Sequence, residues 1–229
     1  SGARAGSINS HHGSFVHLPQ RSSAELMQWI GYVLGDVYVG VRGVRIKDAD
    51  LEVLRVYQEM GRRVFHLEGK ISPLPDANAH LLELNSLGLA RWLRRNVLER
   101  RQAFFDDIGR LPDDQLAGFV RGLFDAEGYL AKQAGQVGLA MTDVELVRRM
   151  QLWLLRLGVV TSTMLEAASL RHRRPRPACT LLMARGDALR RFREVVGFSS
   201  PRKRACLDDV LASKRDGFYL SSRAVPTRT

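Results

Sequence analysis

Two acidic residues, Asp36 and Glu127, each stand at the end of an apolar stretch of the sequence, and the two stretches have similar residue patterns. Each acid lies five residues after a glycine, Gly31 or Gly122, and the two copies are 91 residues apart. The neighbouring positions are apolar nearly all round, which is typical of buried helices. The sequence therefore predicts two buried helices, each ending at a carboxylate.

A carboxylate at a helix C-terminus is disfavoured by about 0.3–1 kcal/mol, and a second acid nearby raises that cost. A divalent cation would reverse both penalties, because hard cations bind carboxylate oxygens and the unpaired carbonyls of a helix end. Asp36 and Glu127 are thus candidate metal ligands. The alternative is that both are solvated residues closing two ordinary core helices.

Small residues line one face of each predicted helix, four positions apart. They are Gly31 and Gly35 in the first helix, and Gly118, Gly122 and Ala126 in the second. A glycine inside a helix costs about 1 kcal/mol relative to alanine. That cost is offset where two backbones must approach closely, so the four glycines predict that the two helices pack against each other.

The elements around these helices occur twice in the same order. In the first half the patterns predict a capping box at Ser22–Glu25, a hairpin at 37–41 and 44–47, and a helix over 48–60 closed by Gly61. Two further strands are predicted at 64–67 and 80–84, joined by a loop through Pro73 and Pro75. A helix over 86–101 follows them. In the second half they predict a helix to Glu127, a hairpin at 129–133 and 136–141, and a capping box at Thr142–Glu145 that opens a helix to Leu157. Strands are then predicted at 159–167 and 178–183. A helix over 187–196 and a last helix from Ser200 complete this half.

This duplication predicts an α+β fold of two pseudo-symmetric αββαββα repeats, each with a curved four-stranded antiparallel sheet. The predicted organisation is a flexible arm over residues 1–20, a first repeat over 21–105, a linker over 106–112, a second repeat over 113–215 and a tail over 216–229. Two related halves suit a pseudo-palindromic ligand, because protein symmetry mirrors half-site symmetry on DNA.

Composition favours a nucleic-acid partner over a membrane. The 229 residues carry a net charge of +11, with 35 lysines and arginines, and there is no run of 18 apolar residues or signal-peptide pattern. Cys179 and Cys206 make neither a disulfide framework nor a zinc pattern. We expect an intracellular protein of the cytoplasm or nucleoid.

Several basic and amide side chains lie in or beside the predicted strands and could read bases, since Arg and Lys bind guanine and Gln binds adenine. They are Arg42, Arg45, Lys47, Lys132, Gln133 and Gln136. A second basic group, suited to phosphates, lies in the predicted loop before the last strand: Arg171, Arg173, Arg174 and Arg176. The alternative is that these residues form the solvated face of a sheet and a nonspecific basic loop.

The stretch 120–128, VRGLFDAEG, resembles the second signature helix of the LAGLIDADG homing endonucleases, and 29–37, WIGYVLGDV, resembles the first. Val37 stands where the family has glycine. The resemblance implies a monomer with a DNA-binding saddle that serves intron homing. It also implies metal-dependent hydrolysis of both strands of duplex DNA at a long pseudo-palindromic site, leaving 3′ overhangs.

The resemblance further assigns roles at the helix ends. It implies two or three Mg²⁺ ions, replaceable in crystals by Mn²⁺ or Ca²⁺, bound by Asp36 and Glu127 with main-chain oxygens of Gly35 and Ala126. Family members also place a basic residue near the scissile phosphates, and Lys47 and Lys132 are the candidates.

Two other functions stay open at this point. LAGLIDADG folds also serve as RNA-splicing maturases, which would make intron RNA a partner, and as DNA-binding proteins that do not cut. A basic α+β structural protein with an accidental motif is the third possibility. Since no intein splice-junction residues are evident, we expect a free-standing enzyme encoded by an intron or by its own gene.

Overall fold

The computed structural model describes residues 16–75, 77–167 and 177–214, and of Asp36 only the backbone. The described part of the first half contains α1 (Ala24–Asp36), β1 (Val37–Val39), β2 (Val44–Asp48), α2 (Leu51–Phe65), β3 (Lys70–Leu74), β4 (Ala79–Leu84), α3 (Leu87–Leu93), a π-helical turn (Arg94–Leu98) and α4 (Arg101–Ile108). The second half contains α5 (Asp113–Glu127), β5 (Gly128–Ala131), β6 (Gln136–Met141), α6 (Val144–Arg156), β7 (Ser162–Glu166), β8 (Ala178–Met183), α7 (Gly186–Val195) and α8 (Pro201–Ser213). The α+β duplication predicted from the sequence is confirmed.

Each half builds one antiparallel sheet of four strands. The strand orders are β1-β2-β4-β3 and β5-β6-β8-β7, so the two sheets have the same topology. Equivalent registers place Val37 opposite Ile46 in the first sheet and Gly128 opposite Leu139 in the second. The buried face of each sheet packs on the helices, and its alternate residues face away from them.

The structure corrects several predicted boundaries. The N-caps of α1 and α6 are Ser23 and Asp143, one residue after the predicted caps, because these side chains accept from the backbone N–H three positions on. Helix α2 continues through Gly61 and ends at Phe65, where His66 caps it with a left-handed φ of 54°. Gly61 instead allows close packing, since a Cβ there would lie 2.6 Å from Cδ2 of Leu84.

The region predicted as a strand at 64–67 is therefore the end of α2 and the turn after it. The strand that precedes β4 and forms a hairpin with it is β3, which contains Pro73, a residue that the sequence pattern places in a loop. Proline is tolerated there because β3 is the edge strand of its sheet. Helix α4 also extends into the predicted linker, and α5 begins five residues after α4 ends.

Helices α1 and α5 form the centre of the molecule. Trp29, Phe119 and Phe124 on these helices are fully buried, and the hydrophobic core continues from one repeat into the other. At the N-terminal side, the backbone N–H of His17 donates to the carbonyl of Phe65, so the chain packs on the first repeat from this point. No helix of the described residues is long and apolar enough to cross a membrane.

Candidate functional site: the paired helix ends

Helices α1 and α5 pack side by side and run in the same direction. A Cβ at Gly118 would overlap the carbonyl oxygen of Ala24, near the start of α1. One at Gly122 would overlap the carbonyl oxygen of Gln28 and lie 2.7 Å from the backbone nitrogen of Tyr32. Contacts therefore advance together along both helices, and only glycine leaves room for the opposing backbone.

The same close approach continues to the C-terminal ends of the pair. A Cβ at Gly31 would overlap the carbonyl oxygen of Phe119. A Cβ at Gly35 would lie 2.5 Å from Cβ of Ala126 and 3.3 Å from Cγ of Glu127. The structure thus places the four glycines of the sequence pattern in the contact between the helices.

The two acids close the paired helices at the same end of the bundle. Asp36 is the last residue of α1, directly after Gly35, and its side chain lies outside the described part. Glu127 is the last residue of α5, is half-buried, and has its side chain against Gly35. The main chain of α1 at Gly35 therefore lies against the Ala126 and Glu127 side chains of α5.

The residues after the acids differ but share an extended backbone. Val37 has φ −129° and ψ 136°, and Gly128 has φ −73° and ψ 140°. Neither angle requires glycine, so Val37 fits the end of α1 without strain. Gly128 is needed for a different reason, because a Cβ there would overlap the backbone carbonyl oxygen of Phe124.

A lysine that sequence reasoning did not select, Lys203, binds the end of α5. Its Nζ donates to the carbonyl oxygens of Asp125 and Phe124 at 2.7 and 3.2 Å. Burial lowers the pKa of Lys203, whereas the charge of Asp125 opposes that shift. Its ammonium therefore stabilises the carbonyl end of the helix that carries Glu127.

Beneath this helix end, Asp125 is buried in a polar cluster. Its carboxylate accepts from the Tyr57 hydroxyl and the Ser199 backbone N–H, both at 2.7 Å, and from Nε2 of Gln28 at 3.3 Å. Burial raises the pKa of Asp125, and the hydrogen bonds from Ser199 and Tyr57 oppose the rise. The cluster joins α1, α2, α5 and the segment before α8, so the hydrogen bonds of Asp125 hold these elements together.

The oxygens at the helix ends suit a hard divalent cation. Among the side chains that the structure describes, no three His, Cys, Asp or Glu residues lie together as a metal-binding group. A cation here would rest on Glu127 and Asp36 together with main-chain carbonyls. Lys203 binds the carbonyls of Phe124 and Asp125, and the carbonyl of Ala126 is the next along the chain towards Glu127. An all-oxygen donor set of this kind fits Mg²⁺, Mn²⁺ or Ca²⁺.

The two lysines predicted from the sequence lie on a strand of the first sheet and on a turn of the second. Lys132 is exposed in the turn between β5 and β6, and its Nζ is 2.8 Å from Oδ2 of Asp209, which raises its pKa. Lys47 is exposed on β2, opposite Leu81. Neither has a described contact with the helix ends.

The remaining predicted DNA-binding residues divide into two groups. On the sheets and their turns, Arg42, Arg45 and Gln133 are exposed and Gln136 is half-exposed. Arg171, Arg173, Arg174 and Arg176 lie outside the described residues.

Comparison with known proteins identifies the fold. Residues 114–197 match the sequence model of the LAGLIDADG-like domain. The structure resembles the homing endonuclease I-DmoI in complex with DNA and Ca, with a TM-score of 0.56 and 20% identity over 81% of this chain and 97% of that one. It also resembles full-length DUF199/WhiA from Thermatoga maritima, with a TM-score of 0.55 and 15% identity over 88% of this chain and 64% of that one.

Two relatives from Methanocaldococcus jannaschii share sequence with nearly the whole chain. The glutamine–fructose-6-phosphate aminotransferase is 32% identical over 95% of this chain, and the ATP-dependent DNA helicase Hel308 is 25% identical over 83%. The chain spans only 20% and 17% of these proteins. The second repeat therefore matches the LAGLIDADG-like domain by sequence, and the two-repeat fold resembles that of I-DmoI.

Proposed function

We propose that this chain is a site-specific endonuclease that hydrolyses both strands of duplex DNA with the help of divalent metal ions. The observation that carries the proposal is the contact of Gly35 with Ala126 and Glu127, which brings the two acid-bearing helix ends together. A pure DNA-binding protein gains nothing from two carboxylates placed where phosphates must approach, since they repel the ligand.

In this proposal, Asp36 and Glu127 hold the metal ions with main-chain oxygens of Gly35 and Ala126. Divalent ions bound there would activate water and neutralise charge on the scissile phosphates. Lys203 fixes the carbonyls one turn before Glu127, and its positive charge near the helix end also favours an approaching phosphate. Pairing of α1 and α5 sets the spacing of the two reaction centres, which determines the offset of the two cuts and so the predicted 3′ overhangs.

The two sheets would bind the duplex on either side of these centres. Each presents one face away from the helices, and equivalent topologies give that face the same arrangement of strands in both repeats. A pseudo-symmetric protein of this type suits a pseudo-palindromic site bound by one chain. The net charge of +11 supplies the attraction to the phosphate backbone.

The two relatives suggest how such a nuclease is carried. Their names describe unrelated chemistry, an aminotransferase and a helicase, yet both share most of this chain. Neither aminotransferase nor helicase activity accounts for a segment that both proteins share with this chain. We therefore infer an in-frame insertion in host proteins, rather than the free-standing enzyme expected from the sequence alone.

The experiment is a cleavage selection on a randomised duplex library with Mg²⁺, run with wild type, Asp36→Asn and Glu127→Gln. We expect double-strand cuts at one long site, lost with EDTA and reduced by at least about 100-fold in each variant. Thermal melting of all three proteins controls for folding. Site-specific binding without cutting, unchanged in the variants, would move the chain to the non-cleaving DNA-binding or maturase class.

Lys203 is tested against Lys132 in the same assay. Lys203→Met should slow cleavage by about 100-fold, since it removes a cation at the end of α5, and should change DNA affinity by less than about threefold. Lys132→Met, which removes only an exposed ion pair, should leave the cleavage rate within about threefold. The reverse ranking would assign the basic role to Lys132.

A further inference from the structure

The outward faces of the two sheets have equivalent geometry but different chemistry. Register pairs Tyr38, Arg45, Glu83 and Lys70 across the first sheet, and Tyr129, Gly138, Leu182 and Ser162 across the second. The next row holds Lys47, Leu81 and Ser72 in the first sheet, and Ala140, Thr180 and Met164 in the second. The tyrosine occurs in both sheets, as Tyr38 and Tyr129. Each charged residue in the two rows of the first sheet has an uncharged residue at the equivalent position of the second.

The first sheet presents an oriented arginine. Nε of Arg45 donates to Oε1 of Glu83 at 3.1 Å, and the Arg45 side chain is 57% exposed. Binding through Nε holds the guanidinium while directing its Nη1–Nη2 edge away from the carboxylate. That edge is the one that donates two hydrogen bonds to O6 and N7 of guanine. An arginine already held in place loses less conformational freedom on binding.

The second sheet presents small and apolar groups instead. Gly138, in the position of Arg45, is buried beneath the Tyr129 ring, and a Cβ there would lie 2.5 Å from the tyrosine hydroxyl. Ala140 and Met164 are exposed, the latter by 50%, and Leu182 is half-buried. Across these two rows of the described sheet there is no cation. Such a surface offers guanine no cationic pair of donors like that of Arg45, and its Ala140 and Met164 side chains suit the C5-methyl group of thymine, the one apolar group in the major groove.

We propose that the two repeats read half-sites of different base class, an inference that rests on the proposed DNA-binding function. The first repeat reads guanine through Arg45. The second repeat reads thymine methyl groups through Ala140, Leu182 and Met164. The target is therefore only loosely palindromic, since one half-site is selected by hydrogen bonds and the other by apolar contact.

The test is a binding selection from a randomised duplex library in EDTA, where the DNA stays uncut. Wild type should select guanine at a fixed position of one half-site and thymines in the other. Arg45→Ala should lose the guanine preference and weaken binding to the selected duplex about 10-fold or more. Ser72→Met, on the same face of the same sheet, is the matched variant that should keep the guanine preference.

Deoxyuridine, which lacks the C5-methyl group, tests the second repeat. Replacing thymine by deoxyuridine in the half-site that Arg45→Ala leaves unchanged should weaken binding about fourfold per contacted base. Met164→Ser, which copies Ser72 of the first sheet, should remove most of that difference. The same replacement in the half-site read by Arg45 should change binding by less than about twofold.

The outcomes separate this inference from the proposed function. Specific binding that is insensitive to both Arg45→Ala and deoxyuridine overturns the inference alone. Binding with the expected base classes but no metal-dependent cutting overturns the nuclease and leaves the inference standing. A chain that selects no sequence overturns both.

Discussion

The two flanks of the central helix pair are built from opposite kinds of residue, although pseudo-symmetry makes them equivalent. On one flank, Gln28, Tyr57 and Asp125 form a buried hydrogen-bonded cluster with Ser199. On the other, Phe119 takes the position equivalent to Gln28, 91 residues later, and its ring lies 5.7 Å from that of Trp153.

The same pairing of helices is thus flanked by a polar cluster on one side and by aromatic rings on the other. Glycine contacts along α1 and α5 are shared by both flanks, whereas the polar cluster stabilises only one. Leu34 occupies the position in α1 that Asp125 occupies in α5, so the first repeat has no buried carboxylate before its metal-ligand candidate. The asymmetry agrees with the family match, which covers the second repeat and not the first.

The largest expected effect comes from breaking what the flanks share. Gly122→Leu places a side chain against the backbone of Gln28 and Tyr32, which no rotamer avoids. We expect the free energy of unfolding to fall by more than about 3 kcal/mol, measured by chemical denaturation. Gly186→Ala is the control, because the nearest atom to its Cβ would be 3.6 Å away on the flexible Arg190 side chain. A variant with wild-type stability at Gly122 would contradict the close approach of the helices.

A somewhat smaller effect is expected on the polar flank alone. Asp125→Leu, which copies Leu34, leaves the Tyr57 hydroxyl and the Ser199 N–H without their acceptor and should cost about 3 kcal/mol of stability. Tyr57→Phe should cost about 1.5 kcal/mol, and the double variant should cost less than the sum by about 1 kcal/mol or more.

Trp153→Phe provides the comparison from the aromatic flank. Its described ring partners are Phe105 and Phe119, neither of which contacts the Asp125 carboxylate. Its effect should therefore add to that of Asp125→Leu within about 0.5 kcal/mol. Strong coupling between the flanks would mean that they do not act independently.

Local patterns explain why the helix pair was predictable. The spacing of Gly31, Gly35, Gly118 and Gly122 is visible within a few turns of chain, and so are the acids at the helix ends. Gly61 shows the limit of local patterns, because a glycine near a helix end can either cap the helix or allow a close contact. Only the packing of Leu84 against Gly61 in the folded protein distinguishes the two.

Contacts between distant residues could not be predicted in this way. Lys203 lies 76 residues after Glu127, in the first turn of α8, and a lysine is most often a surface residue. The one available signal was that α8 begins with Ser200-Pro201, which fixes its N-terminus and so the direction of the next side chains. Similarly, Asp125 accepts hydrogen bonds from Gln28 and Ser199, which lie 97 residues before it and 74 residues after it in the sequence. No periodic pattern in the sequence reveals contacts at such separations.

The smallest expected effect tests the outer helices, where the repeats again differ. On α2, Glu59 pairs with Arg62 and Arg63, and the hydrogen bond from Arg62 lowers the pKa of Glu59 to about 2. On α6 the equivalent of Glu59 is Leu152, which is 65% exposed. A carboxyl whose pKa falls on folding contributes stability above its ordinary value of 4.5, and loses that contribution as the pH falls towards about 2.

The melting temperature of wild type should therefore exceed that of Glu59→Gln slightly at neutral pH, by no more than a few degrees because the pair is exposed. This difference should vanish as the pH falls from about 4.5 to about 2. Leu152→Gln adds no titratable group to the equivalent position, so its difference from wild type should stay constant over the same range. A gap between wild type and Glu59→Gln that stays constant over this pH range would show that the ion pairs on α2 do not contribute to stability.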